Sequence, residues 1–266
     1  MTTPKPPVHA NPWQALRQFT QARIALGRAG VSVPTSAQLA FQLAHARARD
    51  AVHQALDVNA LAQALQLAGY ESLQVNSAAH DRNTYLQRPD LGRKLNEETR
   101  QHLGHLSSPA SDLAIVIADG LSAPAVAQNA LPFMASLQAR LAPDNWSLSP
   151  IIIATQARVA IGDEIASLLN ASAVLVLIGE RPGLSSPDSM GAYLSWAPQP
   201  GLTDAARNCI SNIRPDGLSY DTAAYKLHYL LTEARKRGLT GVALKDETEA
   251  PAQLGSQTVS NFLLEK

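Results

Sequence analysis

The chain has 266 residues, 45% hydrophobic and 17% charged, with one cysteine and with 22 Lys plus Arg against 22 Asp plus Glu. That composition excludes intrinsic disorder, and a formal charge of zero gives no support to nucleic-acid binding, which needs a cationic excess to displace counterions from phosphates. One cysteine closes no internal disulfide, no apolar run approaches the roughly 20 residues of a membrane span, and no export signal is visible, so the expectation is a soluble cytoplasmic protein with no nucleic-acid and no membrane partner.

Residues 1–12 hold Pro4, Pro6, Pro7 and Pro12 with almost no apolar periodicity and read as a flexible Pro-rich tail. From Trp13, apolar residues recur at helical spacing through Leu16, Ile24 and Ala25, and Gly27 and Gly30 close the segment. Arg17, Arg23 and Arg28 lie elsewhere on it, as a solvated face or a contact to a partner subunit. Val33-Pro34-Thr35-Ser36 offers a helix start, from which Leu39, Leu43, Ala46, Val52 and Leu56 carry an apolar stripe onward. Asp57 begins a short helix through Leu67, ended by Gly69. Residues 75–93 have the Asn, Asp, Pro and Gly density of a long ordered loop, and a helical pattern resumes over 91–106. Residues 13–107 thus read as a helical N-terminal region.

The pattern then changes. The run LAIVIA at 113–118 is the first buried strand, ended by Asp119-Gly120; 148–154 is the second and 173–178 the third. Apolar runs without a polar break suit strands buried on both faces of a parallel sheet. Pro124 suits the first turn of a helix that Pro132 is predicted to divide in two. Another helix runs over 163–170, and one over 219–238 turns Ala224, Leu227, Leu230, Leu231 and Ala234 inward. Residues 242–244 offer a last strand. Strands alternating with helices give βαβαβ with right-handed crossovers. The predicted fold is therefore α/β, a Rossmann-like parallel sheet flanked by helices over 108–266. Parallel strands end on the same edge, so Asp119-Gly120, residues 155–159 and Gly179-Glu180 are expected side by side, where an α/β protein usually holds its ligand. The Ser- and Pro-rich loop after Glu180-Arg181-Pro182-Gly183 belongs to that edge.

Several chemistries lack their motifs. No GxGxxG follows a strand, and neither GxxxxGK[ST] nor GxSxG occurs. The scattered histidines show no metal-ligand spacing, and no zinc is expected. Cys209 reads first as a small buried hydrophobe; as a nucleophile it would need a base, and the sequence does not say where His228 lies relative to it. Glu180 reads either as a capping or solvated carboxylate or as an acceptor for a ligand amide or hydroxyl.

Five runs carry a resemblance: Gly27-Arg28-Ala29-Gly30, Asn83-Thr84-Tyr85-Leu86-Gln87-Arg88-Pro89-Asp90-Leu91-Gly92-Arg93, Asp119-Gly120-Leu121-Ser122, Gly179-Glu180-Arg181-Pro182-Gly183-Leu184 and Cys209-Ile210-Ser211-Asn212-Ile213. In this order, between Trp13 and Lys245, they resemble the small subunit of ethanolamine ammonia-lyase. The resemblance implies an adenosylcobalamin-dependent ammonia-lyase that converts ethanolamine to acetaldehyde and ammonia by a radical route. It places the substrate site in a separate large subunit, joined in a hetero-oligomer of about six copies of each, with this subunit active only in the complex. The family's cobalamin contacts fall on Val159 in Arg158-Val159-Ala160-Ile161, on Glu180 and on Cys209. No catalytic residue and no metal ligand is implied here, because the corrin and its own base hold the cobalt; the histidine signature DxHxxG that replaces that base elsewhere is missing.

Two departures accompany the resemblance. Relatives packaged in a bacterial microcompartment carry an amphipathic helix at the front, which the Pro-rich start of this chain cannot form, and the residues from Asp246 extend past the family's usual end. The rival readings are a self-contained α/β enzyme using Cys209 or Glu180 on a small substrate, and a scaffold that never touches the cofactor.

Overall fold

Residues 7–106 and 109–248 are described by a computed structural model. Six strands form one sheet in the order β1-β3-β2-β4-β5-β6. They are β1 (Ser72–Asn76), β2 (Ser111–Ala118), β3 (Ile151–Thr155), β4 (Ala171–Gly179), β5 (Met190–Trp196) and β6 (Asn208–Ile213). The predicted strands are β2, β3 and β4, which pair in parallel with β3 and β4 on either side of β2. β1 adds a parallel strand outside β3.

The sheet is mixed rather than wholly parallel, because β5 runs antiparallel to β4, and β6 to β5. The connection 180–189 is shorter than the dozen or more residues a parallel crossover requires, so the chain can only return beside β4 in the opposite sense. These two strands occupy a region that reads as loop in the sequence. The expected loop over 75–93 in fact takes in the end of β1 and a short helix α3 (Arg82–Gln87). The expected last strand at 242–244 is also replaced: Gly241–Ala243 form a 3-10 turn, which begins at Gly241 with φ +77°.

The remaining helices are α1 (Thr35–His53), α2 (Val58–Leu67), α4 (Glu97–His105), α5 (Ala123–Leu141), α6 (Ile161–Leu168) and α7 (Tyr220–Arg237). Side chains alternate across a strand with a period of two. Leu113, Ile115 and Ile117 of β2 therefore face α5 and α7 with Phe133, Leu137, Leu227 and Leu231. Ala114, Val116 and Ala118 face the opposite layer with Leu103 of α4 and Ile161 and Ile165 of α6. Both layers are buried, which is why residues 113–118 of β2 and 173–178 of β4 are apolar without interruption.

α5 is not divided at Pro132 but runs through it. A proline inside a helix costs about 3 kcal/mol or more. Here the buried Val126, Ala130, Phe133, Met134, Leu137 and Leu141 on both sides of it offset that cost by packing on the sheet.

The N-terminal expectations need two corrections. Residues Pro12–Phe19 form a 3-10 helix, and the chain beyond is irregular, with His9 bridged to Arg28. α1 begins where Pro34-Thr35 places it, but its stripe is not inward: Leu39 is 59% and Leu43 52% exposed, and only Ala48 and Ala51 of the helix are buried. No helix among the described residues is long and apolar enough to cross a membrane.

Candidate functional site

The parallel strands β3, β2 and β4 bring their carboxyl ends to one edge, and the turn after β2 holds that edge together. Asp119, 2% exposed, accepts the backbone N–H of Gln156 at 2.9 Å and of Ala157 at 3.0 Å. Arg82 approaches the same carboxylate at 3.5 Å and donates to the Gly120 carbonyl at 2.9 Å. Burial pushes the Asp119 carboxyl up from its ordinary value, against the pull of those N–H donors and of Arg82. Gln156 has φ +52°, and the loop it starts leads to Val159. On the other side, Leu121 N–H donates to the Gly179 carbonyl at 2.9 Å. A Cβ on Gly179 would lie 2.0 Å from the Ser122 carbonyl oxygen, so the close approach of the two turns requires glycine.

Glu180, the first residue beyond β4, is half-buried. Its Oε2 accepts from the Ser189 hydroxyl and from the Asn212 N–H at 3.3 Å, so the carboxylate ties β4 to β5 and β6. Neither capping nor simple solvation describes it. Its Oε1 takes no hydrogen bond among the described residues and lies 2.9 Å from where a Cβ on Gly191 would stand. The Tyr193 ring borders that same position at 3.1 Å. Tyr193 pairs with Cys209 across the β5–β6 ladder. Burial, then a hydrogen bond with Cys209 and the nearby charges of Glu180 and Asp204, push the Tyr193 hydroxyl above its ordinary value.

Cys209 is exposed, with its Sγ 3.3 Å from the Ser211 hydroxyl, which corrects the expectation of a buried hydrophobe. Val159 and Tyr193 are both half-buried and each packs on the core between the sheet and the α4–α6 layer, to which Ile178 of β4 belongs. A bidentate ion pair fixes the two sides of this face: Arg207 donates to Asp163 at 2.6 and 2.7 Å and to Ser195 at 3.0 Å. Both charged side chains are buried, at 2% and 0% exposure. Asp163 lies in the first turn of α6, just after Val159, and Arg207 just before Cys209. The pair therefore sets the distance between the β3 end and β6.

Glu180 at the edge and Cys209, which lies inside the sheet at the level of Val176, thus both neighbour Tyr193. Val159 stands at the wall of an adjoining cavity of about 820 Å³ that Asp204 also lines. His228 is not there: it bonds Asp144 at 2.7 Å from α7, whose buried side chains pack on the other face of the sheet. Among the described residues no three His, Cys, Asp or Glu side chains are grouped to hold a metal. Sequence reasoning missed Tyr193, Asp163 and Arg207. The alternation in β5 could have shown Tyr193, but a long-range buried ion pair leaves no local pattern. Arg23, expected on a solvated face or a partner contact, reaches the loop after Glu180, donating to the Leu184 carbonyl at 3.2 Å.

The profile of the family described as Ethanolamine ammonia-lyase light chain (EutC) matches residues 10–245. The chain belongs to the ethanolamine ammonia-lyase light-chain family. It is 56% identical over 265 residues to an ethanolamine ammonia-lyase small subunit of Pseudomonas putida (strain W619), with 97% of each chain covered. It is 57% identical over 262 residues to that of Azotobacter vinelandii (strain DJ), again with 97% of each covered. For that of Pseudomonas fluorescens (strain Pf0-1) the identity is 55% over 268 residues, with 98% of each covered. All five runs that carry the resemblance lie within the matched segment. In the light-chain fold, the second run supplies α3 and the turn beside the Val159 loop. The third and fourth runs supply the two turns that meet at Gly179, and the fifth is β6.

Proposed function

We propose that this ammonia-lyase subunit holds adenosylcobalamin against a large subunit that carries the ethanolamine site, in a cytoplasmic hetero-oligomer of about six copies of each chain. The observation that supports the reading is that Glu180 and Cys209 both neighbour Tyr193, while Asp119 holds the start of the loop that carries Val159 and the Asp163–Arg207 pair ties α6 to the approach to β6.

The donor set suits a corrinoid. A corrin ring is rimmed with amide side chains, and the open Oε1 of Glu180 is an acceptor for an amide N–H. Val159 and the Tyr193 ring give apolar contact, and Cys209 is exposed for it. The set has no ligand for cobalt and needs none, since the corrin brings its own. When bound, adenosylcobalamin supplies homolysis of its cobalt–carbon bond. The residues of this chain bind and orient: Glu180 fixes one rim of the ring, Val159 excludes water from its side, and the buried ion pair keeps the two walls at constant separation. No side chain here acts as acid, base or nucleophile. The nucleophile reading of Cys209 lacks its base, because His228 is committed to Asp144 on the other side of the sheet.

A partner also accounts for α1. A helix of 19 residues with two buried side chains and with Leu39, Phe41 and Leu43 exposed is a surface that a second protein covers.

Glu180→Ala tests the reading. In the assembled enzyme the substitution is expected to weaken adenosylcobalamin binding by about 1–3 kcal/mol, the cost of leaving a buried amide unpaired. An unchanged affinity would support a scaffold that never meets the cofactor. Turnover of ethanolamine by this chain alone would contradict the two-subunit reading.

A further inference from the structure

Glu180 can offer Oε1 to a ligand because Oε2 is held, and one side chain stands behind both of the groups that hold it. Those groups are the Ser189 hydroxyl and the Asn212 N–H, the latter at 3.3 Å. Asn212 has φ +61°, a left-handed conformation that asparagine tolerates better than most residues. Arg214 joins the two sides. Its Nε donates to Asn212 Oδ1 at 3.0 Å and its Nη1 to Asp188 Oδ1 at 3.3 Å, and Asp188 is the chain neighbour of Ser189. Arg214 is 6% exposed. A guanidinium presents its donors in a planar fork, so a buried one bonded at both ends fixes the separation of its two acceptors.

The other side of Asp188 is fixed as well. Its carbonyl accepts from Asn129 Nδ2 at 2.8 Å, and the Pro187 carbonyl before it accepts from the Ser122 hydroxyl at 2.7 Å. Asn129, itself buried, also donates to the Ala125 carbonyl at 2.8 Å and accepts from the Tyr220 hydroxyl at 2.7 Å, so α5 and α7 brace the loop through it. The strand ladder does not replace these bonds. The β5–β6 register shifts between Met190 and Ala192, and the residue between them is Gly191, over which Glu180 Oε1 lies. An irregularity of this kind interrupts pairing and re-aims side chains. Where the ladder is interrupted, Arg214 supplies the link between the chain entering β5 and the chain leaving β6.

Resting on the cofactor reading above, we propose that Arg214 is a positioning residue for Glu180. By holding Asp188 and Asn212 at a fixed separation it keeps both donors on Oε2 and leaves Oε1 turned to the ligand. Arg214 acts through Glu180 and not on the ligand. Its charge alone is insufficient, because a lysine ammonium lacks the fork that reaches both acceptors.

The test is a double-mutant cycle on the assembled small- and large-subunit complex, with adenosylcobalamin affinity read by equilibrium dialysis. Arg214→Gln should weaken binding about 3- to 10-fold, as expected when a carboxylate loses one aligned donor. In a Glu180→Ala background the same substitution should change nothing, because no carboxylate is left to position. Arg214→Lys should weaken binding to a similar degree, and it carries the cycle if Arg214→Gln fails to fold. A merely structural role gives the same loss in both backgrounds, and that result overturns the proposal. Full affinity in Arg214→Gln or in Arg214→Lys overturns it too. Glu180→Ala separates the two levels: if it weakens binding while the Arg214 loss simply adds to it, only the positioning role fails; if it leaves affinity unchanged, the cofactor reading fails as well.

Discussion

At the scale of single residues, Asp119 shows how a buried carboxylate can organise an edge without touching a ligand. Its two accepted N–H groups fix the start of the Val159 loop. Burial raises its pKa, so the folded chain keeps that proton to higher pH than the unfolded chain does. Between the ordinary value near 4 and the raised one, the native state binds more protons. Its stability therefore falls as pH rises through that window and levels off above it. Asp119→Asn removes this slope and leaves an N–H without an acceptor, a loss of about 1–3 kcal/mol. Urea midpoints measured from pH 4 to 7 should show the variant's deficit shrinking as pH rises. A deficit that grows with pH would mean that the N–H donors and Arg82 outweigh burial. The functional side chains were unequally legible at this scale. Glu180 stands out because it follows an unbroken apolar run, whereas the exposure of Cys209 depends on a strand, β6, that its neighbours Asn208, Ser211 and Asn212 disguise as loop.

At the scale of elements, the Asp163–Arg207 pair joins α6 to β6 and so spans the site. Removing one partner strands the other as a buried charge, and Asp163→Ala should cost about 3–5 kcal/mol. Replacing both residues by apolar ones of similar volume, Asp163→Leu with Arg207→Met, should recover most of that loss in the same urea titration. If the single variant costs no more than the double, the pair is not what holds the two elements. The strands illustrate which parts of the fold can be read. β2, β3 and β4 are sandwiched between two helical layers, so burial on both faces writes a continuous apolar run. β1 and β6 are the edge strands, less covered and mixed with polar residues, while β5 is mostly buried but its Gly191, Ala192 and Ser195 interrupt any large apolar run. Pro132 misleads for a related reason, since local geometry argues for a break while packing along the whole of α5 prevails.

At the scale of the whole molecule, the described chain places its polar edge and its uncovered helix α1 outside the packed body. Helical spacing of Leu39 and Leu43 was plain in the sequence, but periodicity marks a face and does not say which molecule covers it. Leu39→Gln with Leu43→Gln should leave the thermal transition of the isolated chain nearly unchanged, because both side chains are already exposed. The same pair of changes should weaken co-purification with the large subunit; a destabilised chain that still assembles normally would reverse this assignment. The proposed division of labour rests on one arrangement, a corrinoid that would be gripped from this side by Val159 and Glu180 beyond the ends of β3 and β4 and by Cys209 within β6. The direct measurement is a structure of the assembled enzyme with the corrinoid bound. It should show Glu180 within hydrogen-bonding distance of a corrin amide, with Val159 and Cys209 in contact with the same ring. A ring located elsewhere, with these three side chains facing solvent or the partner's backbone, would contradict it.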